Sequence, residues 1–198
     1  MAKYSSRLVE QLSGAIAVNS TALVKAHGDQ LLELLDELDT LLGSSQGFLF
    51  GKWIADSEKH GTTAAEKQLM RWNAKTQITF WEYPQPDPDD PGGVMKPSNL
   101  QDYACKQWSG LIRSYYKPRW ELFLNETVAQ LEQQHSTKPF DISAFYNISY
   151  AWFSAWQADN TQDFATKPSG DAVALSKAMY AKYSPLIIAA GTQVDRLR

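Results

Sequence analysis

The sequence has little of several features that define common protein classes. Cys105 is its only cysteine, so the chain can form no internal disulfide and no cluster of thiolate metal ligands. Its formal net charge is −3, from 19 basic and 22 acidic residues, which leaves no basic surface for a nucleic acid backbone. No apolar run approaches the roughly 18 residues that cross a bilayer. We therefore expect neither a nucleic acid nor a membrane as a partner.

Catalytic and cofactor motifs are missing as well. The histidines His27, His60 and His135 lie far apart without the spacing of a metal site, so no metal ligand is predicted. No nucleophile elbow, phosphate-binding loop or dinucleotide-binding fingerprint occurs, so no cofactor and no catalytic residue is predicted. Cys105 lies among aromatic residues and is predicted to be a buried small hydrophobic residue rather than a nucleophile.

Amphipathic helical patterns fill much of the chain. Apolar residues recur at helical spacing from Tyr4 to about His27, where Gly28 is predicted to break the helix and Asp29 to cap the next one. That second helix is predicted to turn four acidic side chains to solvent, namely Glu33, Asp36, Glu37 and Asp39.

Similar patterns continue along the rest of the chain. Thr62 or Thr63 with Glu66 has the signature of a capping box, so a helix is predicted to start there. Another is predicted from Leu100 to about Lys117, and Pro118 then kinks it or starts a new one. No useful stretch alternates with the period of a strand. We expect an all-α fold, a single bundle-like domain over residues 1–198 with about seven or eight helices.

Two aromatic blocks, residues 72–81 and 102–120, hold four of the seven tryptophans and flank a proline-rich stretch. That stretch, Glu82 to Ser98, has too many prolines for a helix or an inner strand and is predicted to be a long exposed loop. Sugar rings stack their C–H faces on indole and phenol rings, so the residues around Trp81 and Tyr103 suit a carbohydrate-binding wall. Core packing is the commoner role of a single tryptophan.

Several runs resemble the C-terminal helical region of alpha-N-acetylglucosaminidases, glycoside hydrolase family 89. The matching runs occur in the same order along nearly the whole chain: 48–53 (FLFGKW), 61–67 (GTTAAEK), 72–81 (WNAKTQITFW), 102–104 (DYA), 106–111 (KQWSGL), 115–120 (YYKPRW) and 168–171 (PSGD).

The resemblance implies a specific function. In this family the helical domain follows a TIM-type barrel that holds both catalytic glutamates, so the chain alone is expected to be inactive. The barrel and the helical domain together form a pocket for a terminal N-acetylglucosamine. By resemblance, Trp81 and Tyr103, with Leu100, are expected to form walls of this pocket. Family members are usually lysosomal or secreted.

The chain departs from the family pattern at two places. The long loop from Glu82 to Ser98 stands where the family usually has a short Gly-Pro connection, which affects the alignment of Leu100 and the shape of the pocket rim. Cys105 stands where asparagine is common, so a polar role of that position does not carry over.

Two questions stay open at this level. The alternative function is a free-standing helical module that binds a protein or a glycan through its aromatic surface.

Three triplets match the N-glycosylation acceptor motif and begin at Asn19, Asn125 and Asn147. They matter only if a secretory signal precedes the chain, because the residues after Met1 do not have the pattern of one.

Overall fold

The computed structural model describes residues 2–79, 85–86, 95–96, 104–133 and 142–194. Seven α-helices account for most of these residues, which confirms the predicted all-α class. The helices are α1 (Ala2–Ala17), α2 (Thr21–Gly43), α3 (Phe50–Glu58), α4 (Ala64–Gln77), α5 (Lys117–Gln133), α6 (Ile142–Ala158) and α7 (Ala172–Val194). Inside the proline-rich stretch, the short strands β1 (Gln85–Pro86) and β2 (Met95–Lys96) pair antiparallel. None of the described helices is both long and apolar enough to span a bilayer.

The chain turns between α1 and α2 at Asn19 and not, as predicted, at Gly28. Asn19 has a left-handed φ of +53°, and Ser20, the N-cap of α2, accepts a hydrogen bond from the Leu23 N–H at 3.4 Å. Gly28 lies inside α2, where an added Cβ would come within 2.7 Å of the Leu124 side chain on α5. The glycine therefore allows two helices to pack closely, and this contact outweighs its low helix propensity.

The chain from residue 104 to residue 110 is not helical, although a helix was predicted from Leu100 to about Lys117. Ser109 forms a parallel bridge with the chain before α3. Its N–H donates to the Phe48 carbonyl at 2.8 Å, and the Phe50 N–H donates to the Ser109 carbonyl at 3.0 Å. These long-range hydrogen bonds use the backbone groups that a helix would need, so the helix begins only at residue 111.

Cys105 is exposed in this non-helical segment, so the prediction that it is buried is wrong. The prediction assumed a helix that would have turned this position inward. Helical structure resumes with a π-helical turn, Ile112–Tyr116, that runs directly into α5. The Lys117 N–H donates to the Ile112 carbonyl, and Pro118 follows with no N–H to donate. Of the two predicted alternatives, a kink or a new helix at Pro118, the structure has the start of α5, at Lys117.

An aromatic core lies between α3, α4, α6 and the π-helical turn. Phe50, Tyr115, Phe153 and Trp156 are almost completely buried, and the ring centroids of Tyr115 and Trp156 are 5.0 Å apart. A second apolar cluster joins α1, α2 and α7 through Leu8, Leu31, Leu34, Met179 and Tyr183. The aromatic core is the one that supports the segments leading to the predicted site.

Candidate functional site

The three predicted sugar contacts, Trp81, Leu100 and Tyr103, lie outside the residues that the structure describes. The segments next to them are described, namely the C-terminal end of α4 as far as Thr79 and the chain from Ala104 onward. The contacts of these two segments show how the neighbouring chain is held.

A buried lysine fastens the end of α4 to α6. Lys75 is 0% exposed, and its Nζ donates hydrogen bonds to the main-chain oxygens of Trp156 at 2.8 Å and Asp159 at 2.7 Å. Burial lowers the pKa of Lys75 to about 8, and the Arg71 guanidinium acts in the same direction. Because the protein encloses the Lys75 ammonium and both of these acceptors belong to α6 or its end, this cation joins α4 to α6.

Hydroxyl groups reinforce the same turn of α4. The Thr79 hydroxyl is buried and donates to the Lys75 carbonyl at 2.6 Å. The Thr76 hydroxyl donates to the Trp72 carbonyl at 2.8 Å and accepts a hydrogen bond from the side-chain amide of Gln157 on α6. The last turn of α4 is therefore held both within the helix and from the neighbouring helix.

The segment after residue 104 is held from α2 by the carboxylate of Asp39. This side chain was predicted to face solvent, but Asp39 is 4% exposed. Its Oδ1 accepts hydrogen bonds from the backbone N–H groups of Gly110 at 2.7 Å and Arg113 at 3.2 Å, and its Oδ2 accepts one from the Ser109 hydroxyl at 3.3 Å. The first N–H groups of a helix need acceptors, and a side chain distant in sequence supplies one here.

A pair of indoles connects the two segments. The rings of Trp53 on α3 and Trp108 have centroids 5.8 Å apart and an interplanar angle of 50°. The Trp53 indole N–H donates to the Ala74 carbonyl of α4 at 3.0 Å. Both rings pack against the aromatic core. Trp108 thus has the packing role that is commoner for a tryptophan.

Neither Lys75 nor Trp53 was predicted from the sequence to have a structural role, and Asp39 was predicted to face solvent. A signal for Lys75 was available, since it follows Trp72 by three positions and therefore lies on the same side of the helix. Asp39 gave no comparable signal, because its partners are about seventy positions away along the chain. Among the described residues, no three His, Cys, Asp or Glu side chains lie close enough together to hold a metal ion.

These contacts define the class of the protein. It is an all-helical domain in which the end of α4 and the chain after residue 104 are both held by hydrogen bonds and ring contacts to neighbouring helices. A sequence model of the family described as "Alpha-N-acetylglucosaminidase (NAGLU) C-terminal domain" matches residues 1–182. The chain belongs to this family, which confirms the resemblance found in its sequence.

Relatives of known name agree with this assignment. Human alpha-N-acetylglucosaminidase is 32% identical over 180 residues, which cover 91% of this chain and 22% of the human protein. A family 89 glycoside hydrolase from Clostridium perfringens, solved in complex with 2-acetamido-1,2-dideoxynojirmycin, is 26% identical with a TM-score of 0.70, covering 92% of this chain and 20% of that one. A family 89 glycoside hydrolase from the same organism in complex with PUGNAc is 25% identical with a TM-score of 0.67. The match covers 89% of this chain and 19% of that one. The chain spans about a fifth of the length of these relatives.

Proposed function

We propose that the chain acts as the non-catalytic helical domain of an alpha-N-acetylglucosaminidase-like exo-glycosidase. In this proposal the domain packs against a TIM-type barrel of the same protein, which supplies the catalytic glutamates. Trp81 and Tyr103, with Leu100, complete the barrel's pocket for a terminal N-acetylglucosamine. The family match over residues 1–182 is the observation that carries the proposal.

The relatives' names support the choice of sugar. The human relative is an alpha-N-acetylglucosaminidase, and the bacterial hydrolase was solved with a ligand that carries a 2-acetamido group. An indole and a phenol ring suit such a ligand, because they pack against the C–H face of a pyranose while the phenol hydroxyl is free to hydrogen bond.

Two carboxylates among the described residues fit a non-catalytic role. Hydrolysis of a glycoside needs two carboxyl groups at a set separation, one of which gives up a proton. The buried carboxylate of Asp39 already accepts hydrogen bonds from helix N–H groups and lies 3.5 Å from the guanidinium of Arg113. The Glu66 carboxylate accepts a hydrogen bond from the Thr63 N–H in the capping box at the start of α4. Both groups therefore have structural partners.

The proposal is tested by comparing this chain with a longer protein that joins it to a barrel. We expect the purified chain to release no aryl group from an aryl alpha-N-acetylglucosaminide, while the longer protein does. Release by the chain alone, at a rate comparable with the longer protein, would reject the proposal.

The pocket residues are tested in the longer protein. Trp81→Ala and Tyr103→Ala should each lower kcat/KM by at least about tenfold, because each removes a ring that packs on the sugar. Tyr180→Ala is the matched control, since Tyr180 is 74% exposed on α7, and it should leave kcat/KM unchanged. Equal activity of all three variants would remove Trp81 and Tyr103 from the pocket.

A further inference from the structure

A cleft of about 300 Å³ lies between α3 and α4. This volume is at the lower end of the range of about 300 to 1,000 Å³ that is usual for small-molecule sites. The side chains that line it include Trp53, Asp56, His60, Met70, Asn73 and Gln77. The proposed function, including its predicted pocket, gives this cleft no role.

The Trp53 ring is a fixed wall of the cleft. Its N–H is bonded to the Ala74 carbonyl at 3.0 Å, and Trp108 packs against it with ring centroids 5.8 Å apart. An indole held in this way has no N–H left to offer and presents an apolar surface. Such a surface suits the C–H face of a sugar ring, and little entropy is lost on binding because the ring is already ordered.

Two side-chain amides stand on the same side of α4. Asn73 and Gln77 are four positions apart and both line the cleft. Neither side chain has a hydrogen-bond partner in the part of the chain that the structure describes; Gln77 is exposed and Asn73 is half-buried. An amide both donates and accepts hydrogen bonds, which matches the hydroxyl and acetamido groups of a sugar.

The carboxylate that lines the cleft already has cationic partners, which fits an uncharged ligand such as a sugar. The Asp56 carboxylate pairs with the ammonium groups of Lys59 at 2.5 Å and Lys52 at 3.7 Å. Its negative charge is therefore largely balanced. By contrast, the cavity between α2 and α5 is lined by Lys25, Asp29 and Glu121 and has no aromatic wall.

We propose that the α3–α4 cleft is a second sugar-binding subsite. The Trp53 ring packs against a pyranose, and the amides of Asn73 and Gln77 hydrogen bond to its hydroxyl or acetamido groups. Gln77 precedes Trp81 by four positions, and Trp108, which packs against Trp53, follows Tyr103 by five, so the cleft is close in sequence to the predicted pocket residues. The inference rests on the proposed function in that the ligand is a glycan ending in N-acetylglucosamine.

The test is an NMR titration of the 198-residue chain with a disaccharide that ends in alpha-linked N-acetylglucosamine. We expect the indole N–H signal of Trp53, assigned by its loss in Trp53→Phe, to shift as the disaccharide is added. Combined Asn73→Ala and Gln77→Ala should weaken the binding about tenfold or more, which is the loss expected for two hydrogen bonds. Gln68→Ala, at an exposed position of α4 away from the cleft, is the matched control and should bind as the unchanged chain does.

A further variant separates the cleft from the predicted pocket. Trp81→Ala should leave the Trp53 titration unchanged, whatever it does to hydrolysis in the longer protein. If hydrolysis proves independent of Trp81 and Tyr103 but the Trp53 signal still responds, the pocket assignment is wrong and the subsite stands. An unresponsive Trp53 signal, or equal binding by the double variant and the Gln68→Ala control, would overturn the subsite.

Discussion

The ammonium of Lys75 lies 4.7 Å from the centroid of a Trp156 ring and donates a hydrogen bond to the main-chain oxygen of the same residue at 2.8 Å. A second hydrogen bond reaches the main-chain oxygen of Asp159, just beyond the end of α6. The last carbonyls of a helix lack partners within that helix, and a cation near them also complements the helix dipole. One side chain of α4 therefore caps α6 and joins the two helices.

Replacement of this lysine is expected to destabilise the domain. Lys75→Met keeps a side chain of similar length but leaves two carbonyl oxygens without their donor. Each buried acceptor left unpaired costs about 1 to 3 kcal/mol, so we expect the free energy of unfolding to fall by about 3 kcal/mol. Urea unfolding measures this change. Lys67→Met, at an exposed position of the same helix, should stay within about 0.5 kcal/mol, and equal losses would contradict the capping role.

Lys75 also predicts how stability depends on pH. Its pKa is about 8 in the folded protein, below the ordinary value of 10.5, because burial disfavours the charged form. At pH values between these two, the unfolded chain binds more protons at this site than the folded protein does. The contribution of Lys75 to stability therefore rises with pH across this interval.

The measurement is urea unfolding of the unchanged chain and of Lys75→Met at about pH 7.5, 9 and 10. The stability difference between the two should widen as pH increases, because only the unchanged chain has the Lys75 titration. Subtracting the free energy of unfolding of Lys75→Met from that of the unchanged chain removes the effect of tyrosines and other lysines that also titrate at high pH. A constant difference would show that the lysine keeps its ordinary pKa.

The carboxylate of Asp39 predicts a second stability effect. Asp39→Asn removes the negative charge that faces the N–H groups of Gly110 and Arg113, and it turns one acceptor oxygen into an amide donor. Hydrogen bonds to a charged group contribute about 1.5 to 3 kcal/mol, so we expect a loss of about 2 kcal/mol in urea unfolding. Asp29→Asn, at an exposed position of the same helix, should have almost no effect. Faster hydrogen exchange at the Gly110 amide in Asp39→Asn would locate the change.

Two helical glycines form a matched pair. An added Cβ at Gly51 would lie 2.4 Å from the carbonyl oxygens of Phe164 and Ala165, whereas one at Gly14 would meet nothing within 4 Å. Gly51→Ala should therefore cost at least about 2 kcal/mol through overpacking. Gly14→Ala should stabilise the domain by about 0.5 to 1 kcal/mol, because alanine favours a helix. Thermal unfolding distinguishes the two, and a stabilised Gly51→Ala would contradict the close approach of residues 164–165 to α3.

Local sequence signals predicted the capping of α4 correctly. Thr63 and Glu66 form the complete capping box, in which the Thr63 hydroxyl accepts from the Glu66 N–H and the Glu66 carboxylate accepts from the Thr63 N–H. Hydrogen bonds from Thr62 and Thr63 hold the pKa of Glu66 at about 2. The motif was readable because its atoms lie within four residues of one another.

Nonlocal contacts account for the predictions that failed. Gly28 was read as a break because its low helix propensity is visible in the sequence, whereas its contact with Leu124 is not. The helix expected around Cys105 is replaced by non-helical chain, because Ser109 bonds to backbone some sixty residues earlier. The assignments of Trp81, Leu100 and Tyr103 remain predictions.

The sequence by itself determined the all-α class, through amphipathic spacing and helix caps, and the family, through runs of matching residues along nearly the whole chain. Both depend on patterns among residues that are close together in the sequence, so they can be read without the structure. Only the tertiary structure decided that Lys75 and Asp39 are buried, that Trp53 and Trp108 form a pair, and that a cleft lies between α3 and α4. The physical reason is that a charged side chain is buried only where distant backbone groups converge on it, and its own neighbours in sequence do not reveal that convergence.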